Sequence, residues 1–398
     1  IFAFSAAVYL VRNIFMKAKM SIGKDKSAKI NTNKLPIVIF SDHKRYWNTF
    51  EPICRELDKR GQKTYFYTLS PDDPALKASF KNVECSFIGE GNKGISRMNL
   101  LNAYVVLSTT PSLNVYQWKR SKNVNHYSHI LHMVTDPSTY RMFGLDHYDS
   151  ILFTGEYQVK QMEKIWEGRN ISPKELKVVG CPYMDDMLKR FESSEASKKE
   201  KDKKTVLVAP SWGPSGILTV FGESIIEALL KTDYNIIIRP HPQSFTSEKE
   251  LMDSLMTKYP DSNRLSWNRD NDNFNCLSSA DIMISDFSGV IFDYALIFDR
   301  PIIYTTTDFN RDVYDAYFLK DDLWVDKILP CIGKNLNKDN LKDIDLLIEE
   351  CLTSDTYREG KDKARKESWV NIGSSASITA DFLIDKLNEY TKEMEEEV

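Results

Sequence analysis

Residues 281–304, DIMISDFSGVIFDYALIFDRPIIY, constrain the fold more than any other part of this chain. Residues 281–285 form a short apolar run, as in a strand buried on both faces of a parallel sheet. Residues 301–304 read as the next such strand, with Pro301 first, where a missing N–H is tolerated. Between them Phe287, Val290, Ile291, Tyr294, Ala295 and Phe298 recur at helical spacing. The turn that opens the helix is Ser285-Asp286-Phe287-Ser288-Gly289. Ser and Asp are good N-caps, and Gly lets a ligand approach the backbone closely. Such a turn presents free N–H groups and the positive end of a helix dipole, which suits an anion and most often a phosphate. An ordinary capped helix of an α/β domain carries the same residues, so its neighbours decide its meaning.

The rest of the chain repeats the alternation. Apolar runs at 35–40, 64–69, 83–88, 104–107, 130–134, 150–153 and 176–179 read as strands, with helices over 47–60 and 156–167. Residues 191–204, FESSEASKKEKDKK, are charged and aperiodic, and read as a linker. A second series follows: strands at 205–210, 235–238, 264–267, 281–285 and 301–304, with helices near 222–231 and 248–258. The division predicted is an apolar segment and linker over 1–33, an α/β domain over 34–190, the linker 191–204, a second α/β domain over 205–375, and a final helix with an acidic tail over 376–398. Strands alternating with helices mean parallel sheets, whose ligands bind at the carboxyl ends of the strands. Two such domains in tandem suggest a ligand in the cleft between them.

At 398 residues the chain exceeds one ordinary core. A hydrophobic content of 42% marks it as globular, and a net charge of -4 argues against nucleic-acid binding. The six cysteines include no CxxC pair, which fits free thiols in a reducing compartment and leaves no zinc-ligand spacing. Residues 1–16 are apolar with one charge, Arg12, and Lys17, Lys19, Lys24, Lys26 and Lys29 follow. The run is short for a spanning helix, and a signal peptide carries its charges before the apolar part. The reading is a membrane anchor or membrane-surface helix with the following domains on the cytoplasmic face; a helix packed on the protein itself is the alternative.

Several residues are candidates for chemistry. Arg239-Pro240-His241-Pro242 follows a strand and so lies on the same sheet edge as the 285–289 turn, as does Ser211 in the loop 211–216. Arg partners phosphate oxygens, and His can donate to a leaving phosphate. His126, His129 and His132 stand in NHYSHILHMVTD, with Asp136 and Asp146 near enough in sequence to orient an imidazole base. Asp293 is a further candidate orienting carboxylate. Asp270 and Asp272 have the DxD spacing of metal-dependent glycosyltransferases but sit in an Asn/Asp-rich turn, so no metal is expected. GxxxxGK[ST], GxGxxG and GxSxG are absent, which disfavours P-loop NTPases, nicotinamide dehydrogenases and α/β-hydrolases.

Together VLVAPSW, IIIRPHP and ISDFSGVIFDYALIFDRPIIY resemble the CDP-glycerol glycerophosphotransferases of teichoic-acid synthesis. Ser285-Asp286-Phe287-Ser288-Gly289, Phe292-Asp293 and Arg300-Pro301 follow the family's pattern. His132-Met133-Val134-Thr135-Asp136-Pro137 stands where the family has His-Gly-Thr-Pro, and Gly180-Cys181-Pro182-Tyr183-Met184-Asp185 where it has GxPRxD, without the Arg. The resemblance implies a GT-B-like fold of two Rossmann-like domains with the active site between them. It also implies metal- and cofactor-independent transfer from a CDP-alcohol, with an essential histidine in each domain, His132 and His241 here. Arg239, Ser285, Asp286, Ser288, Gly289 and Ser211 would hold the donor, with Asp136 and Asp293 as orienting carboxylates. The donor would be CDP-glycerol, CDP-ribitol or another CDP-alcohol. The acceptor would be a glycan or polyol phosphate on a bacterial cell membrane. Rival readings are a GT-B glycosyltransferase using a nucleotide sugar and a non-catalytic subunit that keeps the fold.

Overall fold

A computed structural model of the chain describes residues 34–194, 203–270, 272–306 and 310–396. The apolar segment 1–33 and most of the expected linker lie outside the described residues. Among those described, no helix is long and apolar enough to cross a membrane.

Two parallel sheets organise the protein. The first holds β1 (Leu35–Ser41), β2 (Thr64–Thr68), β3 (Val83–Phe87), β4 (Asn102–Ser108), β5 (Asn123–Ile130), β6 (Ser150–Phe153) and β7 (Glu175–Val178), in the order β3-β2-β1-β4-β5-β6-β7. The second holds β8 (Thr205–Ala209), β9 (Asn235–Ile238), β10 (Leu265–Trp267), β11 (Ile282–Ser285), β12 (Ile302–Tyr304) and β13 (Gly333–Asn335), in the order β10-β9-β8-β11-β12-β13. Ile37 pairs with Thr64 on one side and Val105 on the other. Val206 likewise pairs with both Ile236 and Ile282. Each sheet reverses direction beside its first strand, between β1 and β4 and between β8 and β11. That reversal opens a crevice at the carboxyl ends of the strands.

The central strands β1, β8 and β11 are apolar on both faces because helices cover both faces. Phe50, Ile53 and Leu57 of the helix Trp47–Lys59 pack under the first sheet with Ile37, Ile39 and Leu107. Ile225, Leu229, Met252 and Leu255 do the same for the second sheet against Val206, Val208 and Ile284. A further core joins the halves, bringing Val134, Cys181 and Met184 against Phe292 and Trp324. All six cysteines are unpaired.

Two elements depart from expectation. The strand expected at 130–134 is β5, Asn123–Ile130, which lies earlier and is more polar. Two of its polar side chains are satisfied across the sheet: His126 Nε2 lies 2.8 Å from Ser150 Oγ, and Ser128 Oγ lies 2.7 Å from the same atom. The helix after β11 begins only at Val290 and widens into a π-helical turn over Asp293–Ile297. Phe287, expected on its buried face, is 47% exposed. The final helix, Ser375–Glu396, returns to the first half: Ala380, Phe382, Leu383 and Leu387 complete the core under the first sheet.

The chain therefore crosses between the halves twice, and Asp185 binds the two crossings together. It lies in the helix Pro182–Glu192, just before the outward crossing. Its carboxylate accepts from Trp369 Nε1 at 2.9 Å and from the Ser375 N–H at 3.1 Å on the returning chain. Gly180 has φ +96°, and a Cβ there would stand 2.4 Å from the Val370 carbonyl oxygen. Only glycine meets both demands.

Candidate active site

The carboxyl ends of the strands deliver the site. From the first sheet come Arg45 and Tyr46 after β1, Thr109 after β4 and His132 after β5. From the second come Ser211 and Trp212 after β8, Arg239 and His241 after β9, and Ser288 and Gly289 after β11. The two sets meet at Gly289: a Cβ there would lie 3.2 Å from Met133 Sδ and 3.5 Å from Thr135 Cγ2. The turn proposed for phosphate thus faces the segment that carries His132.

His132 is partly exposed, and its Nδ1 lies 2.8 Å from Thr109 Oγ1. The edge of the Tyr46 ring packs on it at 4.8 Å between centroids. Burial, with the Arg45 guanidinium adding to it, pushes the imidazole down to about 4, so it is neutral at pH 7. His129 is fully buried between Tyr140 and Tyr148, which makes it a core residue rather than a second candidate base. Burial pushes it down to about 3.

His241 Nδ1 accepts the Gln243 N–H at 3.1 Å. That bond fixes the proton of the neutral ring on Nε2, leaving an N–H donor at the outer edge. Burial, then Arg45, holds His241 below the usual histidine value. The exposed Trp212 ring lies beside it, 6.4 Å between centroids. Arg239 is braced by the Asn268 side chain and by the Asp270 carbonyl at 2.8 Å. Its fork keeps further N–H donors for an anion. Ser288 is partly exposed, and among the described residues no hydrogen-bond partner engages its hydroxyl.

Other expected site residues are spent on holding the site together. The Ser285 hydroxyl is buried and donates to the Ala209 carbonyl at 2.7 Å. The Asp286 carboxylate accepts from the Ser211 N–H at 2.9 and 3.0 Å and from the Ile217 N–H at 3.0 Å. Burial raises it above the usual carboxylate value, and these donors work against the rise. Asp286 and Ser211 therefore tie the loop after β8 to the turn after β11; this carboxylate faces backbone donors, not a phosphate. Asp136 does not orient His132. It accepts from the Trp324 and Val325 N–H groups at 2.9 and 3.0 Å and so caps the helix Trp324–Ile332. Asp293 is buried against Tyr183, and burial pushes it up to about 7. Asp146 binds Arg169 at 2.8 Å and makes no hydrogen bond to His129 or His132. Asp272 pairs with Arg190 at 2.7 Å and caps the Phe274 N–H at 3.0 Å, as expected of a turn.

Among known proteins, the family described as CDP-Glycerol:Poly(glycerophosphate) glycerophosphotransferase matches residues 133–331, half of the chain.

This chain belongs to that family.

The match to the glycerophosphotransferase family begins one residue past His132 and takes in His241, Ser288 and Gly289. A teichoic acid glycerol-phosphate primase of Bacillus spizizenii is 27% identical over 178 residues, which are 43% of this chain and 44% of the relative. The alignment thus spans less than half of that protein's length. Solved structures of the wall teichoic acid polymerase TagF have the same fold. One is 15% identical with a TM-score of 0.61, covering 97% of this chain and 98% of that one. Another, a variant soaked with CDPG, has a TM-score of 0.58 at 15% identity over 98% of both chains. A UDP-GlcNAc 2-epimerase of Methanocaldococcus jannaschii, in complex with UDP-GlcNAc and UDP, is 14% identical with a TM-score of 0.57, covering 87% of this chain and 99% of its own. The glycerophosphotransferase fold seen here is thus α/β with two parallel sheets, like the GT-B glycosyltransferases.

Neither Arg45 nor Thr109 was singled out by sequence. Both follow strands at the point where the first sheet reverses, and that position was the available signal.

Proposed function

We propose that the protein transfers glycerol phosphate from CDP-glycerol to a hydroxyl of a teichoic-acid-type acceptor, releasing CMP. The observation that carries this reading is the convergence of His132 and the Ser288–Gly289 turn, with Met133 against Gly289. One domain brings a neutral imidazole, and the other brings the phosphate turn with His241 and Arg239.

In this mechanism the second domain holds the diphosphate through Ser288, the backbone at Gly289, His241 Nε2–H and Arg239. The acceptor hydroxyl enters from the first domain. When His132 donates Nδ1–H to Thr109 Oγ1, its Nε2 carries the lone pair that takes the acceptor proton. The acceptor oxygen bonds to the phosphorus bearing glycerol as the bond from that phosphorus to the bridging oxygen breaks. CMP leaves with the electron pair, and His241 donates toward the departing phosphate. An imidazole near 4 is a weak base; an anionic donor beside it raises its proton affinity. Positioning and charge stabilisation carry most of the acceleration, as in other phosphoryl transfers. A membrane-linked acceptor accords with the apolar, Lys-flanked sequence of residues 1–29, and the reaction would then run at the cytoplasmic face of a bacterial membrane.

Incubation with labelled CDP-glycerol and bacterial membranes should release CMP and label the membrane fraction. Release of UDP from UDP-sugars, with CDP-glycerol untouched, would replace this reading by a glycosyltransferase. Tight CDP-glycerol binding with no CMP under any acceptor would replace it by a binding subunit.

A further inference from the structure

The first sheet brings its own cation to the cleft. The turn between β1 and the helix Trp47–Lys59 is well held. Ser41 Oγ donates to the His43 carbonyl at 2.9 Å, the Arg45 N–H donates to His43 Nδ1 at 3.2 Å, and the Lys44 N–H donates to Ser70 Oγ at 3.0 Å. The two basic side chains of this turn then differ. The Lys44 ammonium is neutralised by Asp72. The Arg45 guanidinium lies over the Tyr46 ring, 5.1 Å from its centroid, and among the described residues no carboxylate pairs with it. Tyr46 in turn packs its edge on His132. Arg45 is thus stacked one ring away from the imidazole of its own domain.

Its field also crosses the cleft. Arg45 depresses His241 more than Arg239 does, although Arg239 stands on the same turn as His241. The Arg45 charge thus lowers both histidines, while its stacking on Tyr46 keeps it on the His132 side. Aromatic stacking fixes the plane of a guanidinium while leaving its N–H edge free, which suits two-point binding of a phosphate. The nucleotide's own phosphate has Arg239 on the second domain. The phosphoryl group that moves must instead lie toward His132, where Arg45 stands.

We propose that Arg45 is a substrate-binding residue of the transfer site: it takes hold of the non-bridging oxygens of the moving phosphoryl group from the first domain, opposite Ser288 and His241. This assignment rests on the glycerophosphotransfer reading and adds to it a charge that acts on the transferred group rather than on the nucleotide.

The test compares wild type, Arg45→Ala and Arg45→Lys by calorimetry with two ligands, CDP-glycerol and CMP, which lacks the transferred phosphoryl. The expected result is CDP-glycerol affinity at least about tenfold weaker in Arg45→Ala, from loss of a charge-assisted contact. CMP affinity and melting temperature should stay unchanged. Arg45→Lys should recover part of the loss, because it restores the charge but not the fork. Equal losses for both ligands, or none for either, overturn the assignment. If wild type neither binds nor turns over CDP-glycerol, the proposed function fails, and Arg45 is then judged with inorganic pyrophosphate. Weaker pyrophosphate binding by Arg45→Ala upholds the anion site, and identical behaviour of wild type and variant overturns it.

Discussion

Thr109 Oγ1 lies 2.8 Å from His132 Nδ1, joining the ends of β4 and β5 through one hydrogen bond. Thr109 is fully buried, so the contact also fixes the plane of the ring. His132→Ala should cut turnover by ~10²–10⁴-fold, the usual worth of a general base, with donor affinity nearly intact. Thr109→Val keeps the shape and removes the partner of Nδ1, so kcat should fall while KM for the donor holds. Full activity in His132→Ala, measured by CMP release, would exclude His132 as the base.

The pH dependence has a definite sign. A base works unprotonated, so activity is present above its pKa and lost as pH falls through it. With His132 held near 4 in the free protein, the acidic limb of kcat/KM should lie near that value, well below an ordinary histidine. The limb in kcat should lie higher, because the bound anionic donor favours the protonated ring. A kcat/KM limb centred at the ordinary histidine value would contradict this placement.

Donor binding should respond to the second domain. His241→Ala and Ser288→Ala should both weaken CDP-glycerol binding. Gly289→Val should do more harm, since its side chain would enter the space between the turn and Met133. Gly289→Ala should be milder, because the atom at 3.2 Å is the sulfur of a flexible methionine. Unchanged calorimetric affinity across the series would move the phosphate elsewhere.

Asp286→Ala should act on stability rather than on charge. It leaves the half-buried Ser211 and the buried Ile217 N–H groups without their acceptor, at a cost of roughly 1–3 kcal/mol. Thermal unfolding should register that loss. A variant with wild-type melting temperature but no donor binding would instead return Asp286 to the ligand.

EDTA should leave turnover in place. The Asp272 carboxylate is engaged by Arg190 and the Phe274 N–H, and Asp270 Oδ2 accepts from Asn268 at 2.9 Å. Activity abolished by EDTA and restored by Mg²⁺ or Mn²⁺ would free these carboxylates as metal ligands.

What the sequence disclosed follows from burial. β1, β8, β11 and β12 are apolar runs hidden on both faces, and such runs are legible one residue at a time. β5 was misplaced because its partners are not local: His126 and Ser128 are satisfied inside by Ser150 on the neighbouring strand, and His126 also by Tyr390 on the final helix. β13, Gly333–Asn335, has no apolar signal at all; Gly333 is there because a Cβ would strike Ile302. The same limit applies to the site. His241 and the 285–289 turn are announced by short contiguous motifs. The employment of Asp136 as a cap for Trp324 depends on a partner far along the chain, which no local pattern records.

The Asp185 clasp has a mechanical consequence. Two strands of chain pinned side by side act as a door hinge with two screws rather than one. Together with the core of Val134, Cys181 and Met184 against Phe292 and Trp324, the pins resist sliding and swivelling of one half past the other. The placement of Arg45 and His132 against Ser288 and His241 is thus set in part at a carboxylate that touches none of them.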